Sequence, residues 1–364
     1  MFFNEIPTVL AHIIANFLNI KDLVSLLHTN KSISYSMKDL ILKGFEIRLN
    51  PKLNNFLTSR QIKIEYKNII FSYDYFGNKR INCMCFINSH TAVFGFKDAS
   101  ILFFCLKSFK ILRHFIAHTD SITGLVFINN SYIISSSLDG YIKIWNSETL
   151  DCIIQINSEK KINSFCMSLQ NDIVCNFFNY YGIRTFHTPF TNRLNDLQME
   201  QSGNYVIGLC TLNNGLIITG GYIFDDGLIH IYDIETGNII QEIIIHNESS
   251  TYISSICCLS NGGFACGLIR GTIMIYDLFE SKYIYSRSLR GHEYNVTKLI
   301  QHIDGRLFSS SSDSNIKIWD LNTNQCIRTI YFHLYSIIYF DFIPNSDNKI
   351  ISCDIQGNVC ITSV

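Results

Sequence analysis

SSSLDGYIKIWNSETLDCI (135–153) and SSSSDSNIKIWDLNTNQCI (309–327) decide how this chain is read. Each runs from a serine cluster through Asp139 or Asp313 into an alternating apolar stretch that ends on Trp145 or Trp319. A histidine stands 21 residues before each aspartate, His118 in one case and His292, after Gly291, in the other. With that register fixed, fainter copies align. GLIHIYDIETGNII (227–240) and GTIMIYDLFESKYI (271–284) put Tyr232 and Tyr276 at the tryptophan position, and Phe104, Phe186 and Thr362 occupy it elsewhere. Positions 104, 145, 186, 232, 276, 319 and 362 are 41, 41, 46, 44, 43 and 43 residues apart. Seven copies in step indicate one repeating unit.

Within a repeat, apolar and polar residues alternate over short runs such as 122–127, 132–136, 141–145 and 152–156, separated by Gly, Asn, Asp and Ser. That pattern predicts four antiparallel strands joined by tight turns. One such sheet cannot bury both faces, so neighbours must pack face to face, and closing the circle removes the exposed ends. The last copy reaches Thr362 with no residues left for an outer strand. The segment 61–66 or 68–73, upstream of the first full repeat, is expected to supply it.

These residues resemble the WD-repeat family, whose units open on Gly-His and close on Trp-Asp at a period of ~40–45 residues. The resemblance implies a buried relay in the two full copies: Trp145, Ser135 (or Ser137), His118 and Asp139, and Trp319, Ser309 (or Ser311), His292 and Asp313. On paper it looks like hydrolase chemistry, but a serine clamped by an indole inside a repeat, twice over, reads as a staple. Arg270 and Gln356 stand where the fifth and seventh copies should carry the aspartate, and the third (162–200) has almost no signature. Those copies are expected to rest on apolar packing alone, the alternative being that their irregularity is functional.

The first 48 residues differ. Val9, Leu10, Ile13, Ile14, Phe17 and Leu18 recur at helical spacing after Pro7, and Leu23, Leu26, Leu27 and then Leu40, Ile41, Phe45 suggest two further short helices. The segment FNEIPTVLAHIIANFLNIKDLVSLLHTNKSISYSMKDLILKGFEIRL (3–49) resembles an F-box in its Ile6-Pro7 opening, its Leu18-x-x-x-Asp22-Leu23 junction and Lys31. The resemblance implies docking of a Skp-type adaptor, within a cullin-based ubiquitin ligase, on Ile6, Pro7, Val9, Ile13, Leu18 and Leu23. An undersized helical unit needs such a partner to cover its apolar side chains.

The expected architecture is therefore an all-β seven-bladed β-propeller of WD-repeat type over 61–364, a short linker at 49–60, and a small N-terminal α-helical F-box-like domain over 1–48. The expected function is to recruit a target protein to the ligase. The alternative is a non-enzymatic scaffold whose helical head is a structural cap. By register, Arg80, Arg270 and Arg290 fall on the face expected to bind the target, as does Asp226; a guanidinium fork suits phosphate, whereas the aspartate suits a basic partner.

Composition narrows the field. The 29 basic and 30 acidic residues give no field to hold nucleic acid or an anionic membrane. No apolar run reaches the ~18–20 residues of a membrane helix, and Glu5 and Pro7 spoil a signal peptide. A cytoplasmic protein is expected, with the nucleus as alternative. The 13 cysteines, odd in number and without a C-x-x-C pair, read as reduced core residues. No metal-ligand spacing, phosphate loop or isolated nucleophile points to a cofactor or to catalysis.

Overall fold

The computed structural model describes residues 47–49, 68–71, 76, 79–178, 183–186, 194–195, 204–246, 251–346 and 348–364. They form seven sheets, antiparallel except for one edge pair in blade seven. Six are four-stranded meanders in chain order, at 81–116, 122–157, 162–195, 204–245, 253–289 and 296–330, numbered here as blades one to six. Blade seven combines Ile337–Phe342, Lys349–Asp354 and Val359–Ser363 with the early strand Asn68–Phe71. Asn68–Phe71 runs antiparallel to Val359–Ser363, with Ile70 opposite Cys360, and so fills the outer place that the C-terminal residues leave empty. The segment 61–66 lies outside the described residues.

Each innermost strand touches the innermost strands of both neighbours, and Ile337–Phe342 touches Ile81–Asn88, so the circle is closed. Seven apolar clusters lie one at each junction between blades. The largest joins blade seven to blade one around Phe76, Phe94, Phe96, Phe104, Ile351 and Val359. The junction of blades three and four is the thinnest, resting on Val174, Ile183, Ile217 and Tyr232. The pseudo-symmetry reaches the backbone. All seven innermost strands carry a register shift near their start, between the first and third residues in six of them, as at Ile122/Gly124 and Val296/Lys298, and at Val206/Gly208 in blade four. Such bulges bend a strand and re-aim the side chains that follow.

One expected boundary needs amendment. The helical head at 1–48 lies outside the described residues except for its end, and there Ile47–Leu49 is a strand, paired in parallel with Asn68–Phe71 as a fifth strand of blade seven. Strand pairing thus begins ahead of the expected linker. The described residues contain no α-helix. The 13 cysteines are all free, with Cys83, Cys85, Cys175, Cys266, Cys353 and Cys360 buried and Cys152 and Cys326 exposed.

Candidate functional site

In an up-and-down blade, the turns between second and third strands and the connections from one blade to the next open on the same face of the ring. The relay residues meet there. In blade two the Trp145 Nε1–H donates to Ser135 Oγ at 2.8 Å, Ser135 lies 2.7 Å from His118 Nε2, and His118 Nδ1 lies 2.9 Å from Asp139 Oδ2. Blade six repeats this with Trp319 to Ser309 at 2.8 Å, Ser309 to His292 at 2.7 Å and His292 to Asp313 at 2.7 Å. One tautomer satisfies each chain: the serine hydroxyl donates to Nε2, and Nδ1–H donates to the carboxylate.

Ser137 and Ser311 have another task. Each donates to a backbone carbonyl, of Asp120 or Tyr294, and accepts the N–H of the relay aspartate. Both relay serines are fully buried, so no substrate can reach them. Burial pushes the Asp139 carboxyl up, but the N–H groups of Thr119 and Tyr141 and the His118 ring more than offset this and hold it below the ordinary carboxylate value. Asp313 is lowered likewise, burial being outweighed by His292 and the N–H groups of Asn315 and Glu293. Burial lowers His118, with Asp139 pulling the other way.

Blade seven departs from the expected register. Gln356 is not part of any relay. Asp354, two residues earlier and fully buried, pairs with His333 Nδ1 at 3.2 Å, while His333 Nε2 lies 2.8 Å from Ser352 Oγ. Asn358 supports the other end of this relay, donating to Asp354 at 2.9 Å. The signal was present in the sequence, because His333 precedes Asp354 by 21 residues, as in the two full relays. Blade one uses a cation instead, with Lys79 Nζ 2.6 Å from Asp98 and 3.3 Å from Ser100 Oγ. Blade four links the Tyr232 hydroxyl to His230 at 3.0 Å and His230 to Glu242 at 2.7 Å. Blade five has Arg270 in the turn, and no relay is seen there among the described residues.

Arg80, Arg270 and Arg290 are exposed on this face and make no side-chain ion pair among the described residues. Arg270 and Arg290 flank one contact: Gly271 (φ +82°) sits so close to the His292 carbonyl that a Cβ would lie 2.2 Å from it. Arg80 belongs to the entry to blade one and is remote from them in blade order. Asp226 is half-buried and paired with His246 at 2.8 Å, so it is not free for a basic partner; the adjacent Asp225 accepts from the Tyr252 hydroxyl. Ile6, Pro7, Val9, Ile13, Leu18 and Leu23 lie outside the described residues.

The sequence reading missed the apolar part of this face. Phe178, Phe224, Tyr294, Tyr331, Leu334, Tyr335 and Ile355 are exposed in its turns and connections, Phe224 by 82% and Tyr331 by 72%. The opposite face exposes Leu169, Leu278, Phe279 and Ile303. The available signal was aromatic residues between strands, where turn formers are the rule. A cleft of about 590 Å³ opens on the same face beside blade two, lined by Asp120, Asp139, Glu159, Lys160 and Lys161 among others. Among the described residues no cluster of His, Cys, Asp and Glu could hold a metal ion.

Residues 109–146 and 284–320 match the family described as WD domain, G-beta repeat, and these are the segments that end on Trp145-Asn146 and Trp319-Asp320. The chain is 28% identical over 145 residues to the target of rapamycin complex subunit wat1 of Schizosaccharomyces pombe, covering 40% of this chain and 44% of that protein. It is 22% identical over 255 residues to the p21-activated protein kinase-interacting protein 1-like of Gallus gallus, covering 66% of this chain and 63% of the relative. It therefore spans less than two thirds of either relative. The β-propeller domain of Cps50 (Swd1) from Myceliophteria thermophila superposes with a TM-score of 0.66 over 78% of this chain and 97% of the other, at 13% identity. Ring closure, blade topology and the paired relays lead to the same conclusion: the chain carries a seven-bladed WD-repeat β-propeller.

Proposed function

We propose that this protein is a non-catalytic scaffold that gathers partner proteins on the face bearing the relay turns. A WD-repeat propeller is a non-catalytic platform, and the fold accords with a protein that is not an enzyme. The observation that carries the reading is the concentration of exposed aromatic and aliphatic side chains on this face, beside arginines that make no side-chain ion pair among the described residues. Aromatic and arginine side chains are the usual anchors of protein interfaces. The names of two relatives, a complex subunit and a kinase-interacting protein, point the same way. The decisive comparison is affinity capture with Tyr294→Ala/Tyr331→Ala/Tyr335→Ala beside Leu169→Ala/Ile303→Ala on the opposite face. Partners should be lost with the first set and kept with the second; the reverse pattern would refute the assignment.

A finer reading makes the scaffold a substrate-recruiting adaptor of a Skp/cullin-type ligase in the cytoplasm or nucleus. Its support is the F-box resemblance of residues 3–49 and the pairing of Ile47–Leu49 with Asn68–Phe71, which tethers whatever precedes residue 47 directly to the ring. Copurification of a Skp-type adaptor, abolished by changing Ile6, Pro7 and Leu18 to charged residues, would support it. Failure of the full chain to bind such an adaptor would leave the scaffold reading standing alone.

A further inference from the structure

Among the described residues, four apolar side chains sit on a backbone with positive φ: Ala99, Phe109, Leu150 and Phe224. Burial offsets that strain in three of them. Ala99 is buried, and Phe109 and Leu150 pack against the apolar clusters at the junctions of blades seven and one and of blades one and two. Phe224 (φ +50°) is the exception, because its ring is exposed where Gly, Asn or Asp would be ordinary. Strain that the chain's own packing does not offset marks a position held for function.

Phe224 and Asp225 form the two-residue tip of the blade four hairpin, between Ile217–Ile223 and Asp226–Tyr232. Ile217 faces Tyr232 across 15 residues, whereas Ile133 and Trp145, Phe264 and Tyr276, and Leu307 and Trp319 face each other across 12. At ~3.3 Å per residue the longer hairpin carries its tip about 5 Å beyond its neighbours. It is also stiff. Tyr222 stacks on Tyr252 at 4.1 Å, the Tyr252 hydroxyl donates to Asp225 at 3.2 Å, and His246 pairs with Asp226 at 2.8 Å. The shorter blade five hairpin next to it leaves a step down to Arg270, with Arg290 and Tyr294 exposed on the connection that follows. Glu293 is exposed there too, so this floor is net positive, while Asp225 makes the neighbouring tip negative.

We propose that two copies of the chain form a face-to-face dimer, the blade four tip of each seated over the blade five turn and the 290–294 connection of the other. This rests on reading the face as an interface and names one partner for it. A two-fold axis lying in the face between blades four and five lays the tall, acidic tip of one copy on the low, basic floor of its partner, and does so twice. Asp225 then meets Arg270 and Arg290, and the Phe224 ring gains the guanidinium plane of Arg270 and the ring of Tyr294. A tip already rigid loses little freedom on docking. Two such contacts make a small interface, so association is reversible and depends on concentration.

The test is sedimentation velocity of the purified full chain from about 1 to about 100 µM, the span in which small interfaces dissociate. The chain should pass from monomer to dimer. Phe224→Asn should weaken the dimer at least about tenfold, yet raise the urea midpoint of dilute, monomeric protein, because asparagine accepts the turn's positive φ. Asp225→Lys alone and Arg270→Glu/Arg290→Glu alone should each stay monomeric through like-charge contacts. An equimolar mixture of those two variants should dimerise again, since both contacts are then of opposite charge. The proposal is overturned if the wild-type chain is monomeric throughout, if its dimer survives Phe224→Asn and both charge variants, or if the mixture fails to associate. A monomeric chain that still captures other proteins through Tyr294, Tyr331 and Tyr335 would refute the dimer and leave the scaffold reading intact.

Discussion

Blades five and six are neighbours with the same four-stranded meander, and different forces hold their turns. In blade six a buried relay ends on Asp313, whose carboxylate also accepts the N–H groups of Glu293 and Asn315. The turn and the loop beside it are thereby locked together. In blade five Tyr276 stacks on Phe264 at 4.8 Å with an interplanar angle of 11°, and Tyr283 packs against the same ring at 5.4 Å. Among the described residues no polar relay reaches its turn, and Arg270 is left exposed. The difference shows that the ring does not require the relay. What it requires is a filled junction between blades, and an aromatic stack supplies that as well as an indole does. A blade that has lost the relay has its turn residue free for a partner.

Several substitutions would break or sharpen that contrast. The largest effect is expected from Phe264→Ala, which empties a fully buried site in the blade five junction and should cost about 3–5 kcal/mol in urea unfolding. A loss under about 1 kcal/mol would mean that the stack does not hold the blade. Next comes Ser309→Ala, which leaves the Trp319 N–H and one His292 nitrogen without partners and should cost about 1–3 kcal/mol. Ser135→Ala should behave alike, whereas Ser137→Ala and Ser311→Ala test the backbone-bonding role separately.

A smaller effect appears in acid. Asp139, Asp313 and Asp354 have folded values below their unfolded ones, so the unfolded chain binds protons first. Their stabilisation is complete above about pH 4 and is lost as pH falls through the lowered values. His118, also lowered in the folded state, adds a loss that begins as pH drops below 6.5. Asp313→Asn should flatten the acid limb of the stability profile, and His118→Asn the limb just below neutrality. An unchanged profile in both would contradict the relay electrostatics. The smallest effect is expected from Arg270→Asp. Restoring the family residue should leave stability within about 0.5 kcal/mol, since Ser249 rather than a histidine stands 21 residues upstream. A clear gain would show that a hidden relay partner exists.

The ring was legible because its physics is periodic: seven aromatic or substitute positions in step, strands at 122–127 and 141–145 within a residue or two of those observed, and an outer strand missing at the C-terminus. The relays at Trp145 and Trp319 could be read because each hydrogen-bonding partner leaves its own residue type at a fixed offset. Asp354 escaped because the expected register was anchored on the tryptophan position, which Thr362 fills without an indole, rather than on the histidine. Tyr331, Tyr335 and Phe224 escaped because an exposed aromatic in a loop has no period to betray it. The Lys298–Asp341 pair joins residues 43 apart on adjacent blades, and only the closing of the circle brings such residues together.

The central claim is that the two ends of the described chain share one blade, and the most direct test uses the natural Cys360. Its residue partner across the closing pair is Ile70, and facing residues of antiparallel strands lie about 4.5–5.5 Å apart at Cα, within disulfide range. Ile70→Cys, oxidised and mapped by non-reducing peptide mass spectrometry, should yield a 70–360 disulfide in protein that remains folded. A folded protein in which Cys360 stays a free thiol, or pairs elsewhere, would show that the ring is not closed in this way.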